Sequence, residues 1–271
     1  MPIRELGMNS AALLSGIRDG NYHAGGIRCL QLLRVEEPFL GDLRDEALRL
    51  TGAERGSDVT NPKHITHWTR PRGEVVQFSL FNSSGRYEDF SSDHNLAQNG
   101  KQFLGATLYP NLARLLSAIP DLVNFRINLL GAGAGLSPHE EHSIVRFGEN
   151  AVAGRVRFHL PMVTDFRAEL KLDGYVYHLA PGMIYFVNHG CVHSAHNGGN
   201  NCRIHLVWDL LLTTEAYEAM FGNATWSLPV TRIPEDQQSV KPIRTEQIGP
   251  YERIPPSVTR DEADSLRLCR R

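Results

Sequence analysis

Histidine is the residue type that stands out in this sequence. Of the 12 histidines in 271 residues, eight fall in about a quarter of the chain: His139, His142, His159, His178, His189, His193, His196 and His205. Imidazole is the commonest protein ligand for transition metals and the usual proton carrier near neutral pH, so this density points to chemistry in that window. The run Ser137-Pro138-His139-Glu140-Glu141-His142 sets an imidazole and a carboxylate two residues apart. On a strand, His139 and Glu141 share one face, and Glu140 and His142 share the other. A further histidine, His193, follows the apolar run Met183 to Val187. Ten residues after it stands Arg203, which opens the alternating run Arg203-Ile204-His205-Leu206-Val207-Trp208-Asp209. Alternation puts Arg203 and His205 on one face and Ile204, Leu206 and Trp208 on the other. Two histidines and one carboxylate leave three positions open on an octahedral Fe(II), which admits dioxygen and a chelating cosubstrate together. A guanidinium inside a small barrel is costly unless it meets an anion, and its planar fork suits a carboxylate.

Such residues must be held by strands. From Val123 onward, short alternating runs are punctuated by turn residues about every 8 to 12 positions, the pattern of a sandwich or small barrel. The spacing predicts strands over Val123–Leu130, His139–Arg146, Arg155–Leu160, Arg167–Leu172, Tyr175–Leu179, Met183–Val187, His193–His196 and Cys202–Leu210. Asp173-Gly174 and Pro181-Gly182 read as turns, and Gly131 to Gly135 as a tight crossing between strands. Eight such strands make a double-sheet jelly roll the leading architecture. Upstream, Ile27 to Leu33 and Glu74 to Leu80 read as strands, and the apolar spacing from Phe39 to Leu50 as a helix. A second helix is predicted over Asn111 to Ala118, with Asn111 as its cap. Thr60 to Arg72 reads as a loop. The expected organisation is a single catalytic unit over residues 1–222, with a mixed α/β part (1–122) and a jelly-roll core (123–211). An extension over 223–271 would pack on that core or on a partner. It carries six of the 15 prolines, which argues against core strands there.

Composition narrows the class. Lys and Arg number 28 against 30 Asp and Glu, a net charge of -2 that gives no field to draw in nucleic acid or anionic lipid. No apolar run approaches the ~18 residues of a membrane span. The four cysteines are scattered without a CxxC pair, and the start of the chain has no apolar leader. A cytoplasmic protein with reduced thiols is expected, free of nucleic-acid and membrane partners and compatible with a homodimer.

From about Phe125 to Leu211 the chain resembles the aspartyl/asparaginyl β-hydroxylase family of 2-oxoglutarate-dependent Fe(II) oxygenases, and is most like the bacterial proline cis-4-hydroxylase branch. The resemblance rests on Pro138-His139-Glu140-Glu141, Arg157-Phe158-His159-Leu160, Gly182 to Phe186 with His193-Ser194-Ala195, and Arg203 to Asp209. It implies a mainly β, double-stranded β-helix fold, Fe(II) as the metal, and 2-oxoglutarate and O2 as cosubstrates. It further implies His139, Glu141 and His193 as iron ligands and catalytic residues, with Arg203 on the 5-carboxylate of 2-oxoglutarate. Arg157 and His159 fall where the family contacts the cosubstrate or the substrate acid, and His205 shares the face of Arg203. The implied reaction is hydroxylation of a C–H bond in an amino acid, an amino-acid derivative or a small peptide, with release of succinate and CO2. Two positions depart from the pattern. Glu141 stands where the proline-hydroxylating branch carries Asp, and Asn188 where an Asp commonly ends the strand.

Plainer readings stand beside these. Glu140 is the nearby rival to Glu141 as the carboxylate ligand. His142, His189 and His196 are expected on the outer face or at the mouth, and His94 and His178 carry no signal. His64, His67, Arg70 and Arg72 read as a solvated loop. The rival functions are a cupin-type metal enzyme without 2-oxoglutarate, for which Arg203 has no purpose, and a non-catalytic barrel that binds a metal or a small acid.

Overall fold

A computed structural model describes residues 9–52, 75–97, 99–147 and 151–269; the expected loop Thr60–Arg72, with its two histidines and two arginines, lies outside them. The elements run α1 (Ser10–Asn21), β1 (Cys29–Val35), α2 (Phe39–Thr51), β2 (Val75–Ser79), α3 (Phe90–Asp93), α4 (Pro110–Ala118) and β3 (Leu122–Leu130). They continue with β4 (Gly135–His139), β5 (Ile144–Phe147), β6 (Ala151–Val163), β7 (Ala168–Leu172), β8 (Tyr175–Tyr177), β9 (Met183–Val187) and β10 (His193–Asn197). The last are β11 (Arg203–Leu211), α5 (Thr214–Met220), β12 (Val230–Arg232), β13 (Arg244–Thr245) and α6 (Arg260–Asp264). The strands form two antiparallel sheets, a larger one in the order β12-β1-β9-β6-β11-β3-β2 with β5 on β6, and a smaller one in the order β13-β8-β7-β10-β4. This is the double-sheet jelly roll that the strand pattern predicts, and the double-stranded β-helix that the family resemblance implies.

Period-two alternation in the larger sheet separates apolar from polar residues. Phe125, Ile127 and Leu129 of β3, Phe158 and Leu160 of β6, and Ile204, Leu206 and Trp208 of β11 join one buried cluster with Leu13, Ile17, Phe39, Leu43, Leu112 and Leu115 of the helices. The main hydrophobic core therefore lies outside the barrel, between the larger sheet and α1, α2 and α4. The intervening residues Asn124, Arg126, Arg157, Arg203, His205 and Asp209 are buried on the opposite face. A second, smaller cluster, including Leu170, Leu172, Tyr177, Tyr185, Val187 and Cys191, fills one end of the space between the sheets. The remainder of the barrel holds the polar side chains together with a small apolar group, Val75, Leu130, Ala134 and Ala195.

One predicted strand divides in two. His139–Arg146 was expected as a single run, yet β4 ends at His139 in the smaller sheet and β5 begins at Ile144, paired with β6 of the larger one. Between them the chain crosses from sheet to sheet and spends its amides elsewhere: Glu141 N donates to His189 O at 3.3 Å, and Ser143 N to Asn21 Oδ1 at 2.9 Å. Asn188, the departure from the family pattern, is fully buried and ties α1 to the strand leading to His193. Its Nδ2 donates to Gly16 O (3.2 Å) and Ile27 O (2.9 Å), and its Oδ1 accepts from Ser143 Oγ and Gly190 N. A Cβ on Gly20 would lie 2.2 Å from that Nδ2, so α1 can approach only with glycine there.

The helix after Pro110 begins one residue earlier than its spacing predicts, and Asn111 does not cap it. Glu46 of α2 does so instead. Its carboxylate, 3% exposed, accepts from the amides of Asn111 (3.0 Å) and Leu112 (2.9 Å) and from Asn111 Nδ2 (2.9 Å). A negative charge at the first turn satisfies amides that have no partner within the helix and meets the positive end of its dipole. In the tail, β12 and β13 are short strands at sheet edges, and Val258, Ala263 and Leu266 join the main core. Among the described residues no helix is long and apolar enough to cross a membrane. Replacing Glu46 by Ala, which strands these amides, should cost about 2 kcal/mol of stability in urea unfolding; an unchanged midpoint would mean that water replaces the carboxylate.

Candidate active site

The antiparallel pairing of β10 with β4 places His193 opposite His139, with ring centroids 4.1 Å apart. Each ring is oriented by a carbonyl two residues upstream: His139 Nδ1–H donates to Ser137 O at 2.8 Å, and His193 Nδ1–H to Cys191 O at 2.9 Å. Because a carbonyl can only accept, both Nδ1 atoms carry the proton, which puts the lone pair of each neutral ring on Nε2. Burial lowers the His139 imidazole below its ordinary value. It pushes His193 down to about 3, so both rings are neutral and fit to donate to a metal.

Glu141, in the crossing after β4, is the third member of this group. One ligand atom from each of His139, Glu141 and His193 lies within 4.8 Å of the others, and Glu141 Oε1 is 3.9 Å from His193 Nε2. Strand alternation is not what brings Glu141 here, since it stands beyond the end of β4. Its carboxylate is gripped by arginines of β6: Arg157 donates through Nη1 to Oε1 (2.7 Å) and through Nη2 to Oε2 (2.9 Å), and Arg155 Nη2 adds 3.2 Å to Oε2. Burial raises the Glu141 carboxyl, but Arg157 outweighs it and holds the group well below the usual carboxylate range. The rival carboxylate, Glu140, is 2% exposed and is engaged elsewhere. Its Oε2 sits 2.7 Å from His23 Nε2, and its Oε1 accepts from Ile254 N at 2.5 Å.

The three groups open on a cavity of about 350 Å³ lined also by Arg157, His159, His189, Arg203, Val207 and Ile254. Arg203, on β11, is 4% exposed, and its Nη2 donates to His205 Nδ1 at 2.9 Å. No carboxylate among the described residues pairs with it, and burial pushes its guanidinium down to about 9. His205 backs that guanidinium rather than lining the cavity, and its Nε2 is buried without a partner. His159 Nδ1 lies 3.4 Å from His205 Nδ1, and burial with the Arg203 charge holds His159 well below its ordinary value. A buried guanidinium whose one acceptor is a neutral imidazole, with no carboxylate of the described residues against it, makes a socket for a carboxylate from outside the chain.

The other expected residues divide. Arg157 lies in the cavity wall, but its guanidinium is spent on Asp209 and Glu141, whereas the family resemblance implied contact with the cosubstrate or the substrate acid. His189, expected outside or at the mouth, is fully buried beside Glu141 and Arg157. His196 is exposed, and His178 Nδ1–H donates to Ala168 O. Sequence reading missed the opposite wall. Arg126 of β3 is clamped by Asp93 through two bonds of 2.7 Å and touches His94, and Asn124 Nδ2 donates to Asp209 Oδ2 at 2.9 Å. The signal was present in the alternation Val123-Asn124-Phe125-Arg126-Ile127-Asn128, which sets three polar residues on one face.

Comparisons with known proteins follow the same lines. Residues 41–212 match the family model described as aspartyl/asparaginyl β-hydroxylase. No curated protein matches the sequence. Among solved structures, a prolyl-4-hydroxylase from Pseudomonas putida is 15% identical, with a TM-score of 0.36 over 73% of this chain and 98% of that one. HygX from Streptomyces hygroscopicus, with nickel and 2-oxoglutarate bound, is 11% identical, with a TM-score of 0.37 over 69% and 89%. The viral collagen prolyl hydroxylase vCPH from Paramecium bursaria Chlorella virus-1, a 2-oxoglutarate complex, is 9% identical, with a TM-score of 0.35 over 66% and 94%.

The rim of the cavity is the part of the site that can be tested first. Through Glu140, the end of α1 at His23 and the tail at Ile254 are joined beside the two histidines. Replacing Glu140 by Gln should speed amide exchange at Ile254 by at least about tenfold; unchanged protection would show that other contacts hold the tail.

Proposed function

From the premise that this chain belongs to the aspartyl/asparaginyl β-hydroxylase family, we propose that it is a 2-oxoglutarate-dependent Fe(II) oxygenase that hydroxylates a C–H bond of a small amino-acid-like substrate. The observation that carries this reading is the buried guanidinium of Arg203 without a carboxylate partner, in the same cavity as the His139, Glu141 and His193 donor atoms. The donor set suits Fe(II): two neutral imidazoles and one carboxylate, with room for further ligands. Bound iron would supply the activation of dioxygen, with 2-oxoglutarate as the co-reductant that leaves as succinate and CO2.

The chain supplies position and charge. His139 and His193 present Nε2, their rings fixed by Ser137 O and Cys191 O, so little reorganisation is needed when a metal arrives. Arg203 takes the distal carboxylate of the cosubstrate in a fork that His205 holds from behind. His159, kept neutral, stands in the wall between that fork and the donor group and offers one more polar contact to the cosubstrate acid. Val207, Leu130, Leu136, Ala195 and Ile254 give the remaining wall an apolar character that favours the carbon skeleton of a substrate and keeps water low. A cavity of this volume suits a free amino acid, a derivatised one or the reactive residue of a small peptide beside the cosubstrate. The sequence resemblance to the proline cis-4-hydroxylase branch makes proline and its derivatives candidates to include in the test.

The test is to incubate anaerobically purified protein with Fe(II), 2-oxoglutarate, O2 and candidate amino acids and to measure succinate. Substrate-stimulated succinate is expected; its absence with every candidate, together with no binding of 2-oxoglutarate by calorimetry, would overturn the assignment. Replacing Arg203 by Met should raise the 2-oxoglutarate concentration for half-saturation by about 100-fold while metal content stays near that of the parent protein. Loss of metal instead would mean that Arg203 supports the donor group.

A further inference from the structure

Glu141 has a problem that its sequence position does not solve. It lies in a crossing segment, carries one methylene more than Asp, and has one backbone tie of its own, Glu141 N to His189 O at 3.3 Å. A side chain with three rotatable bonds in such a place loses conformational entropy when a metal binds, unless something else has already fixed it. What fixes it here is a chain of ionic contacts that begins on the neighbouring strand β11, where Asp209 stands directly across from Arg157 of β6. Asp209 of β11 is fully buried and is held by Asn124 Nδ2 at 2.9 Å. It grips Arg157 side-on, accepting from Nε at 2.7 Å and from Nη2 at 3.0 Å. This leaves the end-on fork of Arg157, Nη1 and Nη2, for the two oxygens of Glu141 at 2.7 and 2.9 Å.

The geometry leaves Glu141 able to bind metal. Each carboxylate oxygen has two lone pairs, and the fork uses one on each. Arg155 takes a further position on Oε2, so Oε1, the oxygen 3.9 Å from His193 Nε2, keeps a lone pair. The charges also balance. Asp209 and Glu141 face Arg155 and Arg157, so the cluster is neutral and adds no net positive charge beside a dication. We propose that Asp209 and Arg157 are positioning residues that act in series to present Glu141 Oε1 as the carboxylate ligand of the metal held by His139 and His193. The role of Arg157 is thus to aim a ligand rather than to anchor an acid from solution. This inference rests on the metal-site reading above.

Calorimetric titration with Co(II) under anaerobic conditions, without 2-oxoglutarate, tests it by metal affinity rather than turnover. Parent protein that binds no Co(II), or H193A that binds it as well as the parent, would defeat the metal-site reading itself. With parent binding present and H193A binding lost, D209N and R157Q should each weaken Co(II) binding by about 10-fold or more, as outer partners of metal ligands do. In an E141Q background the same substitutions should change affinity less than about twofold, because the ligand they aim is gone. A merely structural effect would persist undiminished in that background. Affinity unchanged or tightened in D209N and R157Q, or a loss that persists with E141Q, would overturn the proposal; tightening would mean that the ion pair holds Glu141 off the metal. Should R157Q fail to fold, by circular dichroism, D209N alone and in the E141Q background carries the same comparison.

Discussion

A charge taken out of water must find a counter-charge, and the interior of this barrel is arranged around that requirement. Four arginines reach into it. Arg126 is matched by Asp93, and Arg155 and Arg157 share Asp209 and Glu141. Arg203, as buried as any of them, has only the neutral imidazole of His205. Among the described residues three of the four meet a carboxylate and the fourth does not, and it is this fourth that we propose takes an anion from outside. That asymmetry separates the arginines paired within the chain from the one proposed to bind a ligand more sharply than burial does.

The polar interior is possible because the apolar interior lies elsewhere. In β3, β6 and β11 the residues between the barrel-facing arginines, histidines and asparagines are Phe, Ile, Leu and Trp, and they pack against the helices on the other side of the larger sheet. The helices thus do more than decorate a barrel, since without them the larger sheet would expose its hydrophobic face. Both outer parts of the chain also reach the rim of the site, through His23 and Ile254 on Glu140, although the family match spans only residues 41–212.

Much of this was legible in the sequence because strand alternation has a short, regular period. The strands of the barrel, the turn at Asp173-Gly174 and the shared face of Arg203 and His205 follow from that period alone. The crossing after His139 did not, because Glu140 to Ser143 carry no Gly or Pro to mark a break, while the amides of Glu141 and Ser143 bond to His189 and Asn21, far away in sequence. Helix α1 was not read, since Gly16, Gly20 and Asn21 weaken its pattern, and the reasons for those residues, Gly16 against Ile27, Gly20 against Asn188 and Asn21 accepting from Ser143 N, exist only in three dimensions. In the site, the pair His139 and His193 and the cation Arg203 were found by type and spacing. The carboxylate partners of Arg157 were not, because a sequence shows that a charge is present but not which opposite charge it meets.

The central claim is that one cavity holds a metal on His139, Glu141 and His193 and the distal carboxylate of a 2-oxo acid on Arg203. Crystals grown anaerobically with Fe(II) and 2-oxoglutarate, with diffraction recorded on both sides of the iron absorption edge, address it most directly. The account predicts a single anomalous peak at bonding distance, about 2.0 to 2.2 Å, from His139 Nε2, His193 Nε2 and a Glu141 oxygen, with the far carboxylate of 2-oxoglutarate in a two-bond fork on Arg203. An anomalous peak away from the two histidines, or 2-oxoglutarate bound with Arg203 still unpaired, would contradict it.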